Sequence, residues 1–314
     1  MGTTTEGSVA FREYRTDVFE DLEAEQDRLE GILEQLDQMA WLTASGAAGW
    51  SIADMVLHLA QIEEQVVASA AGRDEVGWDR APGTLDEFIE RWVRAERAGP
   101  DVVFARWRKA RRDAERALRQ ADPRRRLAWS AAPLRPQALA TTRLAEHWAH
   151  GLDITGPLGI LFPDTERLRH IAWLAHRSLP YAFALAGEEP HDVYCELTAH
   201  DGSTWRYGPA EATSTITGSA GDFCRVGARR LAPEQSGLVA GGPTEPPRYG
   251  SCATTPLDGA SALTGLLLSV ELEERLGARR WIPMVGRDVL QPPQAAGRSR
   301  IARRARSLAD HGAC

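Results

Sequence analysis

The chain has 314 residues, room for two domains of about 150 residues each. Hydrophobic residues make up 43% and charged residues 26% of it, an ordinary globular composition that excludes wholesale disorder, a fibrous repeat and a membrane bundle. The net charge of −7 argues against general nucleic-acid affinity, and the four cysteines, Cys195, Cys224, Cys252 and Cys314, are too scattered for a disulfide framework or an all-cysteine zinc site.

Residues 1–18 carry polar Thr and Glu where a signal peptide needs an apolar stretch. No apolar run approaches the roughly 20 residues of a spanning helix. The expected location is the cytoplasm. Of the 37 basic residues 36 are Arg, Lys109 being the one Lys, which is most simply the mark of a GC-rich coding sequence.

Residues up to about 190 read as helices. Val18, Phe19, Leu22, Leu29, Ile32, Leu33 and Leu36 form one apolar stripe, while Glu20, Asp21, Glu23, Asp27, Glu30, Glu34 and Asp37 read as its solvated face. After the Gly-rich break at 45–49, Ser51 and Asp54 make a capping-box start for a helix running through Met55, Leu59, Ile62 and Val66 to about Ala71. Thr84 and Glu87 make a second such start, for a helix over about 85–97 that resumes through Arg119. Ten basic and three acidic residues fall between Arg106 and Arg126. They go round the helix instead of tracking one face, so a nucleic-acid groove is disfavoured. A further helix spans about Pro136 to Ile154, and another about Thr165 to Gly187, where Pro180 kinks or restarts it. Long helices with short connections predict an up-down bundle.

The period then changes. Val193, Cys195, Leu197 and Ala199 alternate with polar positions, as in a half-buried strand. Asp201-Gly202 is a hairpin turn and Thr204 to Tyr207 the return strand. Thr213 to Thr217 is a third strand, Ser219 and Asp222 cap a helix through Arg229, and Leu238 to Ala240 closes the sheet. The expected class is α+β, with a four-helix bundle over 1–190, a small α/β domain over 191–243 and an atypical tail over 244–314. That tail is Gly- and Pro-rich to Pro256, holds one apolar helical segment over 260–276, and carries eight Arg against two Asp after Gly277. It reads as loosely attached or disordered.

Metal chemistry needs lone-pair donors that converge from rigid elements. Glu146 and His150, four apart, project from one helix face, and His58 on the helix after Ser51 offers a third donor. Two His and one carboxylate leave an open position, as in catalytic zinc or facial-triad iron sites. By spacing alone the alternative stays open, with Glu146 and His150 a surface pair and His58 a satisfied core histidine. His147 lies about 100° round the helix from Glu146 and points away from such a site. Asp153, one turn after His150, could orient its imidazole, whereas Asp54 reads first as a helix cap.

Two segments, Gly49-Trp50-Ser51-Ile52-Ala53-Asp54-Met55-Val56-Leu57-His58-Leu59 and Arg143-Leu144-Ala145-Glu146-His147-Trp148-Ala149-His150-Gly151-Leu152-Asp153-Ile154, resemble motifs of the DinB-like, mycothiol-dependent maleylpyruvate isomerase family. That pattern is Trp, a spacer, Asp and His, then Glu-x-x-x-His-Gly-x-Asp. The segment Glu196 to Leu238 resembles the family's small C-terminal domain, so the likeness covers about residues 15–240. It implies a DinB-like bundle, with zinc or another divalent metal on His58, Glu146 and His150 and mycothiol as thiol cosubstrate. It also implies a small electrophile as substrate, handled by cis–trans isomerisation or S-transfer; charge and the short apolar runs set the further expectation of neither nucleic acid nor membrane as partner.

The metal would favour thiolate over thiol, and the thiolate would add to a conjugated cis double bond, then leave after rotation. The absence of a plausible cysteine nucleophile agrees with a borrowed thiol. The family's functional Arg near the small-domain helix points to Arg225, Arg229 or Arg230. Arg229 matches its Gly-Arg-Arg pattern best, to bind a carboxylate of substrate or thiol, although Ala228 is inserted in Gly227-Ala228-Arg229-Arg230. The tail departs from the family's usual ending. A non-catalytic metal-binding protein is the alternative reading.

Overall fold

A computed structural model of the chain describes residues 17–73, 84–129, 133–186 and 188–242. The tail after 243 lies outside them. Nine helices and four strands follow in order among the described residues: α1 (Val18–Leu33), α2 (Gln38–Leu42), α3 (Ile52–Ala70), α4 (Leu85–Ala95), α5 (Pro100–Gln120), α6 (Pro136–Thr155), α7 (Leu168–Arg177), α8 (Leu179–Ala186), β1 (Val193–Thr198), β2 (Thr204–Tyr207), β3 (Ser214–Ser219), α9 (Ala220–Gly227) and β4 (Val239–Gly241). The class is α+β, as the sequence predicts. No described helix is long and apolar enough to cross a membrane.

The helix boundaries follow local chemistry. Ser51 Oγ accepts from Asp54 N at 3.1 Å and Asp54 Oδ2 from Ser51 N at 2.9 Å, closing the expected capping box of α3. Thr84 and Glu87 do the same for α4. Pro100 and Pro136 open α5 and α6, where a missing N–H costs nothing. Pro180 restarts the chain as α8 after α7 ends.

The long helices α1, α3, α5 and α6 pack around two apolar clusters. One holds Leu29, Leu33, Trp50, Met55, Leu59 and Trp107. The other runs from Leu22, Leu144 and Trp148 through Ile171 of α7 to Cys195, Leu197, Trp205 and Phe223 of the sheet and α9. The sheet order is β2-β1-β3-β4, with β1 antiparallel to β2 and parallel to β3, and β3 antiparallel to β4. Gly202, at φ +81°, turns the β1–β2 hairpin, as only a residue without Cβ does readily.

The charged stretch from Arg106 has a plain account. Arg106 pairs with Glu64 and Glu96, Arg111 with Asp27 and Glu30, Arg119 with Glu115 and Glu23. The basic helix α5 thus faces carboxylates of α1 and α3. This corrects one expectation: Glu30, read as solvated, is buried, because Arg108, Arg111 and Arg112 converge on it.

Candidate metal centre

Helix α3 brings in His58 and helix α6 brings in Glu146 and His150. All three are buried, at 5%, 4% and 0% exposure. Their donor atoms lie within 4.8 Å of one another, so one point stands within about 2.8 Å of all three, and a contraction of under 1 Å would reach zinc bond lengths of about 2.0–2.2 Å. The two imidazole rings meet edge to face, with centroids 5.2 Å apart and planes at 89°.

The nitrogens decide what this cluster suits. His58 Nδ1 and His150 Nε2 are buried without a hydrogen-bond partner, and an orphaned buried polar atom costs about 1–3 kcal/mol. A cation bound by those two nitrogens would remove that cost. His150 Nδ1 lies 2.9 Å from Asp153 Oδ2. An ionised carboxylate can only accept, so Nδ1 carries the proton and Nε2 offers its lone pair inward. Burial would raise the Asp153 carboxyl, but the His150 hydrogen bond and the Arg230 charge outweigh it and hold it below the usual range. Burial, with His150, Arg143 and His147 nearby, drives the His58 imidazole well below its ordinary pKa, so that ring is neutral.

Asp153 thus lies within hydrogen-bond reach of the His150 imidazole. Arg230 Nε and Nη2 clamp its two carboxylate oxygens at 3.0 and 2.5 Å, and Arg230 Nη1 donates to the Ala228 carbonyl at 2.7 Å. Arg229 holds φ +57° just past the end of α9, a left-handed position usually given to Gly. Arg225 pairs with Asp164 at 2.6 and 2.9 Å. Of the three arginines weighed from the sequence, Arg230 is thus the one that bonds Asp153.

His147 sits on another face. Trp107 Nε1–H donates to its Nε2 at 3.3 Å, and its Nδ1–H donates to the Arg143 carbonyl at 2.9 Å. Both nitrogens are spoken for. Asp54 serves the α3 cap and also takes Arg97 on both oxygens, at 2.7 and 2.9 Å.

Two neighbours escaped the sequence reading. Arg143 and Glu63 are both at 0% exposure, and Arg143 Nε donates to Glu63 Oε1 at 3.0 Å while its Nη1 donates to Glu146 Oε2. Burial pushes the Glu63 carboxyl up against the pull of Arg143. The available signal was α6 itself, which has charged residues but no face free of apolar ones. The Trp50 ring lies 5.4 Å from that of His58. Trp50 also lines a shallow groove with Leu42, Ala44, Asp54 and Arg97.

Comparison with known proteins gives the chain its family. Residues 22–155 match the family model described as the mycothiol maleylpyruvate isomerase N-terminal domain. The uncharacterized proteins MT0041 and Rv0036c, from two strains of Mycobacterium tuberculosis, are each 35% identical over 219 residues, covering 68% of this chain and 84% of theirs. The crystal structure of the mycothiol-dependent maleylpyruvate isomerase, and that of a histidine-to-alanine mutant of it, superpose with a TM-score of 0.51 at 15% identity, over 74% of this chain and 95% of theirs. At that identity the superposition speaks for the fold alone, and the sequence relatives with the family model speak for descent: the chain is a member of the DinB-like, mycothiol-dependent maleylpyruvate isomerase family.

Proposed function

We propose that this protein is an enzyme that binds a divalent metal, zinc first, on His58, Glu146 and His150. With it the chain would activate mycothiol for cis–trans isomerisation of, or S-transfer to, a small electrophilic substrate. The observation that carries this reading is the convergence of three buried donors, two of whose ring nitrogens have no other partner. The ion would supply one thing, a preference for thiolate over thiol, and the thiolate is the reactive nucleophile.

The chain's own residues do the rest. Asp153 holds the proton of His150 on Nδ1, so that the lone pair of Nε2 faces inward. Arg230 keeps Asp153 charged and fixed. Burial pushes the Cys195 thiol up to about 12 and the Cys224 thiol higher still, so neither is a nucleophile at neutral pH. That agrees with a thiol supplied from outside. Arg229 is proposed to meet a carboxylate of substrate or thiol. The division into a metal-binding bundle over 1–190, a small domain over 191–243 and a tail beyond belongs to the same reading. So do a cytoplasmic location and partners confined to small molecules, with no nucleic acid and no membrane.

The test has two stages. Purified chain is expected to carry stoichiometric zinc, lost on His58→Ala and on His150→Ala. It is then expected to turn over maleylpyruvate or a related electrophile only with mycothiol present. A wild-type chain without metal sinks the site assignment. Metal without any thiol-dependent turnover would replace the enzyme with a non-catalytic metal-binding protein.

A further inference from the structure

Arg143, Glu63 and Glu146 form a buried chain of charges whose presence the fold alone does not explain. Glu63 follows His58 on α3 by five residues, and Arg143 precedes Glu146 on α6 by three. The Arg143–Glu63 contact therefore ties together the two helices that bring in the three donors. Both side chains are fully buried. A buried ion pair gains little over apolar residues of the same volume, because desolvating two charges offsets their attraction. Such a pair suits a task other than stability.

The geometry suggests that task. Arg143 Nη1 engages one oxygen of the Glu146 carboxylate, Oε2, and Arg143 Nε is anchored on Glu63 Oε1. The planar guanidinium spans the two carboxylates, so fixing it at Glu63 fixes the rotation of the Glu146 carboxylate. The second oxygen of Glu146 is then the one left for a cation. Glu63 Oε1 also lies 3.5 Å from Gln26 Nε2 of α1, which braces the anchor from a third helix. Glu63 Oε2 and Arg143 Nη2 remain without hydrogen-bond partners, so the pair is not arranged for its own full satisfaction.

We infer that Arg143 is a positioning residue, anchored by Glu63, that holds Glu146 with one carboxylate oxygen presented to the metal; this rests on the reading of His58, Glu146 and His150 as ligands. Partners outside the ligand set tune a site by orienting its ligands, and losing one typically costs about 10–100-fold in metal affinity.

The experiment loads the full chain with Co²⁺ alone and measures affinity by chelator competition and ligand geometry by the visible absorption bands of the ion. Arg143→Met is expected to weaken Co²⁺ binding by about 10–100-fold and to shift the bands. Arg143→Lys should restore part of the affinity, because an ammonium can donate to Glu146 but does not span both carboxylates. Glu63→Gln, nearly identical in shape, loosens the anchor without touching Glu146 and should weaken binding by about tenfold.

If all three variants bind Co²⁺ within about twofold of wild type, with unchanged bands, the inference is overturned. Should the Arg143 variants fail to fold, the Glu63→Gln result decides by itself, and unchanged affinity with unchanged bands overturns it. A wild-type chain that takes up no Co²⁺, or keeps it after His58→Ala, overturns the ligand reading itself and this inference with it.

Discussion

Asp153→Asn tests whether the segment after α9 supports the candidate metal centre. The carboxylate receives three N–H groups: His150 Nδ1 at 2.9 Å, Arg230 Nε at 3.0 Å and Arg230 Nη2 at 2.5 Å. An amide has one oxygen, so its NH₂ must face at least one of these donors. The Arg230 charge also loses its counter-ion while its side chain is only 12% exposed. Removing one member of a buried pair costs about 3–5 kcal/mol. Arg230 keeps its bond to the Ala228 carbonyl and the amide keeps one acceptor, so the expected loss is near the low end, about 3 kcal/mol.

Urea unfolding of metal-stripped chain at pH 7 measures this, read as a lower midpoint at unchanged slope. Arg230→Met should be costly by itself, yet the double variant should be little worse than either single one, because the two residues share one interaction. Metal affinity should fall alongside, by about 10–100-fold in chelator competition. A loss below about 1 kcal/mol, or single effects that simply add, would refute the coupling of Arg230 through Asp153 to His150.

Three further outcomes are expected. A Cβ at Gly151 would meet Phe162 Cζ at 2.6 Å, so Gly151→Ala should lower stability by about 1–3 kcal/mol, and thermal unfolding at or above the wild-type midpoint would contradict the packing. His176 donates from Nε2 to the Val193 carbonyl at 2.9 Å, and burial holds its pKa below the ordinary value. The unfolded chain therefore takes up the proton first, and stability falls as pH drops through about 6.5, by at most about 1.4 kcal/mol per pH unit for this one group. His176→Gln should flatten that part of the slope in urea titrations between pH 7 and 5, and an unchanged slope would clear His176 of the effect. Thiol labelling followed by peptide mapping should find Cys195 and Cys224 unmodified in native chain and modified in urea; rapid native labelling of either would contradict their burial.

What the sequence made legible follows from which interactions are local. The capping boxes at Ser51 and Thr84, the Pro starts and the alternation from Val193 are encoded within a few residues, and the corresponding elements lie within about three residues of expectation. Helix α2 was missed because its five residues bury one side chain, Trp41, too few for a period to show. The parallel pairing of β1 with β3 was not legible either, since β2 lies between them in sequence and only packing selects the neighbour.

At the site, the i,i+4 spacing of Glu146 and His150 was readable, but the approach of His58 came from the family motif. Arg143, Glu63 and Glu30 were opaque for one reason: an isolated charge in sequence reads as solvated, and its burial depends on partners tens of residues away. Arg229 and Arg230 were separated by geometry alone, since the left-handed turn at Arg229 decides which of them reaches Asp153.

The apolar cluster that begins on α1 and α6 continues without interruption into β1, β2 and α9. Its consequence is thermodynamic. A ligand that binds only folded chain raises the unfolding free energy by about 2.7 kcal/mol at a hundred times its dissociation constant. With one core spanning helices and sheet, that gain is shared by elements that never touch the ligand. Trp205, packed in the core on β2, becomes a distant reporter, and its emission should melt at the same, metal-raised temperature as the helical ellipticity. The sheet would thus register the occupancy of a centre to which it contributes no ligand.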